Sequence, residues 1–352
     1  MHKFNISVLD CTLRDGGHAL EDISIRSGGA VLLPPEEKEL ILDRLNESKL
    51  EIVELGSVTD GVSANNEFSV YKGVEDATSH YENKMVVGNQ YAIIYRDPHI
   101  YNLDIPVWQI GLPRIARVII RYSYLEKSFA FCRLLASKGY TVFIQPMATT
   151  QYSNSELIYL CDLANEITAG ALYIVDSYGA MIPKDIRYIY EIFNNNLDDG
   201  ISIGFHSHDN LNLAYSNCID FLEIDGLRDR IIDSTLYGMG LGAGNCKTEL
   251  ICSYLNEKNG SNYYMKGILD GCEIVETIKV EDQSWGVGLV NTLPALEGVA
   301  TKYVATLRKE FNLSYGEIYE IIKEIPLEMR QQYSKENMSV VAKRYLSTER
   351  AK

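Results

Sequence analysis

Eight short apolar runs recur along the chain at intervals of about 25 to 45 residues, and no other feature constrains the fold as much. They are ISVLD (6–10), EIVEL (51–55), KMVVGNQ (84–90), ARVIIRY (116–122), TVFIQP (141–146), ALYIVD (171–176), SIGFHSH (202–208) and RIIDST (230–235). Most are continuous rather than alternating, as expected of parallel strands covered on both faces. Helix-like segments separate them. PPEEKELILDRLNES begins with proline and acids and carries Leu40, Ile41 and Leu45 on one side. SYLEKSFAFCRLLASKG ends in glycine, and NSELIYLCDLANEI starts at a good cap.

Eight strands alternating with helices over about 250 residues predict an α/β fold, a (β/α)8 barrel. A doubly wound sheet fits the same alternation, and VWQIG (107–111) is a candidate ninth strand. After about residue 258 the strand rhythm stops. LEGVATKYVATLRKEF, SYGEIYEIIKEI and SVVAKRYLSTERAK have helical patterns. The expected division is therefore a barrel over 1–258 and a helical C-terminal region over 259–352 packed on it.

Composition narrows the partners. The net charge of −15 over 352 residues opposes nucleic acid and anionic membrane surfaces. No apolar run reaches the length of a membrane span. FNISVLD enters a strand without a basic-then-apolar leader, so no secretory signal is expected. Seven scattered cysteines without a C-x-x-C pair read as buried thiols of a reduced, cytoplasmic protein.

A barrel gathers the loops that follow its strands at one face, where sites are built. Asp15 follows the first run, Glu54 ends the second, Asp176 and Ser177 end the sixth, and His206 and His208 end the seventh. Two residues apart on a strand, these histidines project from the same face. Such a pair offers two nitrogens to a divalent metal, although the spacing alone equally fits two unrelated histidines. Asp15 at the same rim supplies a third, oxygen ligand. Mixed oxygen and nitrogen ligation without thiolate suits Mn2+ or Mg2+, with Co2+ or Zn2+ also compatible. Open positions on the ion would let a 2-oxo acid chelate through keto and carboxylate oxygens. His2, His80 and His99 read as ordinary surface or loop residues. The glycine run GMGLGAGN lacks the features of a phosphate loop or a dinucleotide fingerprint. It reads as a tight loop where backbone passes close to something, or as a support that turns Asn245 toward metal or substrate.

TLRDGG, HSHDN and GMGLGAGN, in this order, resemble the HMG-CoA lyase-like superfamily of metal-dependent lyases and condensing enzymes on TIM barrels. The motifs extend from residue 9 to about 249. The resemblance implies Asp15, His206 and His208 as metal ligands, Arg14 facing an enolate oxygen, and Glu54 holding Arg14. RDGGH is similar to the RDGMH of 4-hydroxy-2-oxovalerate (pyruvate) aldolases rather than to the RDGEQ of the condensing synthases. That match implies His18 as general acid/base, and its ordinary pKa near 6.5 suits proton transfer at neutral pH. VDSYGAM resembles the aldolases' DSGGAM, implying that Ser177 contacts a pyruvate carboxylate, with Tyr178 in place of a small residue. The Gly-Cys-Pro loop of the CoA lyases is absent from the sequence.

The implied activity is cleavage or formation of a 4-hydroxy-2-oxo acid through a metal-stabilised enolate, giving pyruvate and an aldehyde. The alternatives are an acyl-CoA-dependent Claisen condensation, a CoA-lyase-like cleavage, the same chemistry in carbohydrate or natural-product biosynthesis, and a non-enzymatic binding barrel. The resemblance also implies a homodimer and a docked aldehyde dehydrogenase as candidate partners.

Overall fold

The computed structural model describes residues 4–27, 32–59, 64–97, 104–279, 285–311, 313–330 and 333–349. His2 and His99 lie outside them. Eight parallel strands form the frame: β1 (Ile6–Asp10), β2 (Ile52–Val58), β3 (Gln90–Tyr95), β4 (Ile115–Ile120), β5 (Thr141–Pro146), β6 (Ala171–Asp176), β7 (Ser202–Ser207) and β8 (Arg230–Ser234). Each pairs with the next, and β1 pairs with both β2 and β8, which closes the ring. The fold is a (β/α)8 TIM barrel with additional C-terminal helices. A two-residue strand, Val70–Tyr71, adds to the edge of β2.

The third strand runs over 90–95 and not over 84–90. Val86 and Val87 are exposed, the latter at 98%, and lie in the turn that precedes the strand. Their branched side chains imitate a strand, but the run that becomes buried is Tyr91–Tyr95. VWQIG is likewise a surface turn, with Val107 and Ile110 exposed and Trp108 stacked on the Arg114 guanidinium at 4.0 Å. In the helix Pro35–Glu47 the inward residues are Lys38, Ile41, Leu42 and Leu45, whereas Leu40 faces solvent. The spacing of three and four residues selects Leu42 over its neighbour.

The barrel interior is apolar at one level, with Leu9, Ile52, Ala92, Ile115, Phe143 and Ile231 packed together. The expected helical region has two parts. The helix Met265–Ile278 packs on Pro35–Glu47, and its Ile268, Cys272 and Val275 join the main core. The helices from Leu289 onward have a core of their own around Tyr303, Val304, Leu307, Ile318 and Ile322. The run LEGVATKYVATLRKEF is two helices broken at Gly298. Thr292 Oγ1 donates to the Asn210 carbonyl at 3.2 Å, which ties this unit to the loop after β7.

All seven cysteines are buried and free of disulfides. His80 leans on the Tyr71 ring, with centroids 5.2 Å apart. No helix among the described residues is long and apolar enough to cross a membrane.

Candidate active site

The two glycines after Asp15 do not loosen the segment that follows β1. Thr12–Gly16 forms a wide π-type turn that runs directly into the helix Gly17–Ser27. Polar contacts pin it. Asp10 Oδ1 accepts from the Thr12 N–H at 2.9 Å, Thr12 Oγ1 accepts from the Leu236 N–H at 2.8 Å, and the Asp15 N–H donates to the Cys11 carbonyl at 2.8 Å. Gly17 has ordinary helical dihedrals, so its role is space: a Cβ there would lie 2.2 Å from the Phe68 carbonyl oxygen. The pair of glycines lets the turn press against its neighbours, and this fixes where Arg14, Asp15 and His18 sit.

Asp15, His206 and His208 come together at the rim. One ligand atom from each lies within 4.8 Å of the others, and all three residues are buried. The two imidazole rings stand 5.0 Å apart and nearly perpendicular. Arg14 reaches both acids beside it: its Nε donates to Glu54 Oε2 at 2.7 Å and its Nη1 to Asp15 Oδ1. Asn245 Nδ2 donates to Asp15 Oδ2 at 2.5 Å. The glycine run makes that contact possible, because a Cβ on Gly240 would lie 2.1 Å from Asn245 Nδ2 and 2.6 Å from Asp15 Oδ2. Ser177 and His18 line the same cavity as Arg14, Asp15, His206 and His208, which Glu54 and Asn245 support from behind, and Ser177 Oγ accepts from the Ala148 N–H at 2.8 Å.

Two further residues belong to this cluster although the sequence reading passed over them. Arg117, on β4, is fully buried. Its Nη1 donates to Glu54 Oε2 at 2.9 Å, and its Nη2 donates to Asp233 Oδ2. The same Asp233 oxygen lies 2.8 Å from His206 Nδ1. With Nδ1 engaged in this way, His206 has Nε2 free for a ligand, the usual division of labour at metal-binding histidines. A signal did exist. Arg117 and Asp233 are charges of opposite sign inside apolar runs read as parallel strands, and charges buried there must be paired.

Electrostatics follow from this packing. Burial opposes ionisation of Asp15, yet Arg14 and the two imidazoles hold its carboxyl well below the usual range. Asp233 is also lowered: burial works against it, and Arg117 and His206 overcome that. Burial pushes His208 down to about 4, so its imidazole is neutral and able to ligate. Burial together with Arg96 pushes His18 down to about 3, so the ordinary value expected from the sequence does not hold.

The residues fit a divalent cation. Three buried carboxylates, Asp15, Glu54 and Asp233, face two guanidinium groups, Arg14 and Arg117, which leaves negative charge in excess. Glu54 Oε1, Asp233 Oδ1 and Asn245 Oδ1 are buried without a hydrogen-bond partner in the same cluster. An added positive charge answers that excess.

The HMGL-like family profile matches residues 121–280. The 4-hydroxy-2-oxovalerate aldolase of Pelotomaculum thermopropionicum is 26% identical over 288 residues, 77% of this chain and 76% of that one. An oxaloacetate decarboxylase of Mycobacterium tuberculosis is 29% identical over 142 residues, and the match spans only 41% of that relative and 40% of this chain. Among solved structures, the N-terminal domain of a Bacteroides vulgatus protein named as an aldolase superposes with a TM-score of 0.71. It is 26% identical, over 87% of this chain and 98% of that one. Barrel, rim site and relatives define a carbon–carbon lyase. Within that class, the chain resembles the HMGL-like family over residues 121–280 and shares the TIM-barrel scaffold.

Proposed function

We propose that this protein is a divalent-metal-dependent aldolase that cleaves, or in reverse forms, a 4-hydroxy-2-oxo acid, with pyruvate and an aldehyde as products. The observation that carries this reading is the convergence of the carboxylate and two imidazoles with Arg14 and His18 on one cavity. Asp15, His206 and His208 would hold the ion, and their oxygen and nitrogen donors favour Mn2+ or Mg2+. The ion supplies Lewis acidity toward the keto group of a 2-oxo acid.

The chain's own groups do the rest. Arg14, fixed by Glu54, presents positive charge where the enolate oxygen develops, a contribution of about 10²–10³ in rate for one such donor. His18 is neutral at pH 7 and accepts the proton of the C4 hydroxyl; with its pKa at about 3, below the working pH, it is a weak base and its contribution falls at the lower end of the usual range, about 10²-fold. As the C3–C4 bond breaks, its electron pair stays on C3 as the enolate and C4 becomes the aldehyde carbon. A proton returned to C3 then gives pyruvate. Ser177, in the wall of the cavity, orients the substrate carboxylate. A small-molecule substrate and a cytoplasmic location accompany this reading.

Oxaloacetate decarboxylation is the second reading, favoured by the similarity to a decarboxylase over 142 residues. It passes through the same enolate but loses CO2 without a hydroxyl proton to remove. His18→Ala separates the two. The aldolase reading expects pyruvate release from 4-hydroxy-2-oxo acids to fall by about 10²-fold or more, with Mn2+ content unchanged. Loss of metal on that change would make His18 a ligand. An undiminished rate would remove its role as base.

A further inference from the structure

The cavity that faces Asp15 and the histidines does not end at His18. It opens into an outer chamber of about 600 Å³, and the two share His18, Asp97, Arg121, Met147, Ser177 and Leu241. The outer wall comes from the C-terminal helices through Asn291, Thr301, Lys302, Ala305 and Tyr333. Such a volume lies in the range of sites that enclose whole organic ligands, about 300–1,000 Å³. A two-carbon aldehyde would leave most of it to water.

Charge in this chamber is uneven. Arg121 is neutralised by Asp97 at 2.6 Å, and Arg96 by Glu21 at 3.1 Å. Asp22 is engaged in an interaction of its own. Lys302 has no ion pair or side-chain hydrogen bond among the described residues. Its ammonium, with Arg96 and Arg14, bears on His18, against Asp15 as the opposing acid. Lys302 also sits in the first turn of the helix Thr301–Glu310, which has no side-chain cap, so the helix end adds to the same sign. Tyr124, Tyr178 and Tyr333 offer aromatic surface on the way out.

We propose that the outer chamber receives the acceptor half of the substrate, and that this acceptor is a multi-carbon aldehyde ending in an anionic group, carboxylate or phosphate, paired with Lys302. The proposal rests on the aldolase reading and extends it to substrate class. Tyr178 then serves as part of the acceptor wall, which accounts for a large side chain beside Ser177. The C-terminal helices contribute a specificity residue as well as a cover.

The test is aldol addition of pyruvate, in the presence of Mn2+, to succinic semialdehyde, glyceraldehyde 3-phosphate and butanal. The better of the two anionic aldehydes is expected to exceed butanal in kcat/KM by about tenfold or more, the size of one charge-assisted contact. Which of the two it is decides between carboxylate and phosphate. In Lys302→Met the anionic-to-neutral ratio should fall about tenfold, and in Lys302→Glu further. A ratio equal in wild type and Lys302→Met overturns the proposal, as does a wild type that prefers butanal. Exchange of pyruvate methyl protons with D2O needs no aldehyde and separates the two layers. Exchange without anion preference refutes this inference alone. Absence of exchange removes the aldolase reading and the inference with it.

Discussion

Asp233→Asn tests the buried network beneath the site without touching any group that faces substrate. Asp233 Oδ2 accepts from Arg117 Nη2 and lies 2.8 Å from His206 Nδ1, with all three residues buried. The amide keeps the shape but removes the charge, leaving Arg117 with Glu54 as its remaining carboxylate partner. Breaking a buried pair from one side costs about 3–5 kcal/mol, and a retained amide hydrogen bond argues for the lower end. For a chain of 352 residues that corresponds to a fall in Tm of about 4–7 °C. His206 meanwhile loses the group that fixes its tautomer, which weakens metal affinity by about 10–100-fold. Thermal scans of metal-free protein and calorimetric titration with Mn2+ measure the two effects separately. The sign with pH is also fixed. A carboxyl held below its unfolded value of about 3.9 stabilises above that pH and loses its effect as pH falls through the folded value. The gap in Tm between wild type and variant must therefore close on acidification below about pH 4. An unchanged Mn2+ affinity at pH 7 would refute the claim that Asp233 orients His206.

Gly240→Ala should weaken Mn2+ binding by about tenfold or more while circular dichroism stays native, because the new methyl displaces Asn245 and Asp15 from each other. Equal affinity in the variant would mean that the glycine loop does not support the ligand. Burial holds His208 neutral down to about 4, against about 6.5 in the unfolded chain. Between these values the unfolded state binds more protons, so Tm of metal-free protein should climb as pH rises from about 4 to about 6.5. His208→Asn should flatten that climb, and an equally steep climb in the variant would assign it to other groups.

The barrel was legible because parallel strands buried on both faces must be written in branched apolar residues, and seven of the eight runs coincide with strands. The third failed for the same reason in reverse: Val86 and Val87 satisfy the pattern while lying in solvent. Residue type records what a strand tolerates and not which side of a turn it falls on. The candidate site was partly legible. Placing Asp15, His206 and His208 at strand ends needs only strand order and a closed ring. The ionisation of His18 was not legible, since its fall to about 3 depends on burial and on Arg96, which the chain supplies from beyond β3. Asp233 and Arg117 were missed because they belong to none of the three motifs and each is a charge within a mostly apolar strand run, where only the closed barrel shows them facing Glu54 and His206.

The glycines after Asp15 show most clearly what packing adds to sequence. Read alone, a pair of glycines signals freedom, and a free loop would have to be ordered each time substrate binds. The structure makes them the opposite: residues without side chains where the Phe68 carbonyl and Met239 leave no room for one. Arg14, Asp15 and His18 therefore ride on a turn clamped between β1, β8 and the Met239 segment. A group positioned before substrate arrives needs no reorganisation at the moment of bond breaking, which is where electrostatic catalysis gains its advantage. The same rigidity bears on the acceptor. If the inner cavity cannot adapt, discrimination among aldehydes must come from the outer chamber, whose far wall belongs to the helices from Leu289 onward. Variation in those helices would change the aldehyde while leaving the enolate chemistry intact.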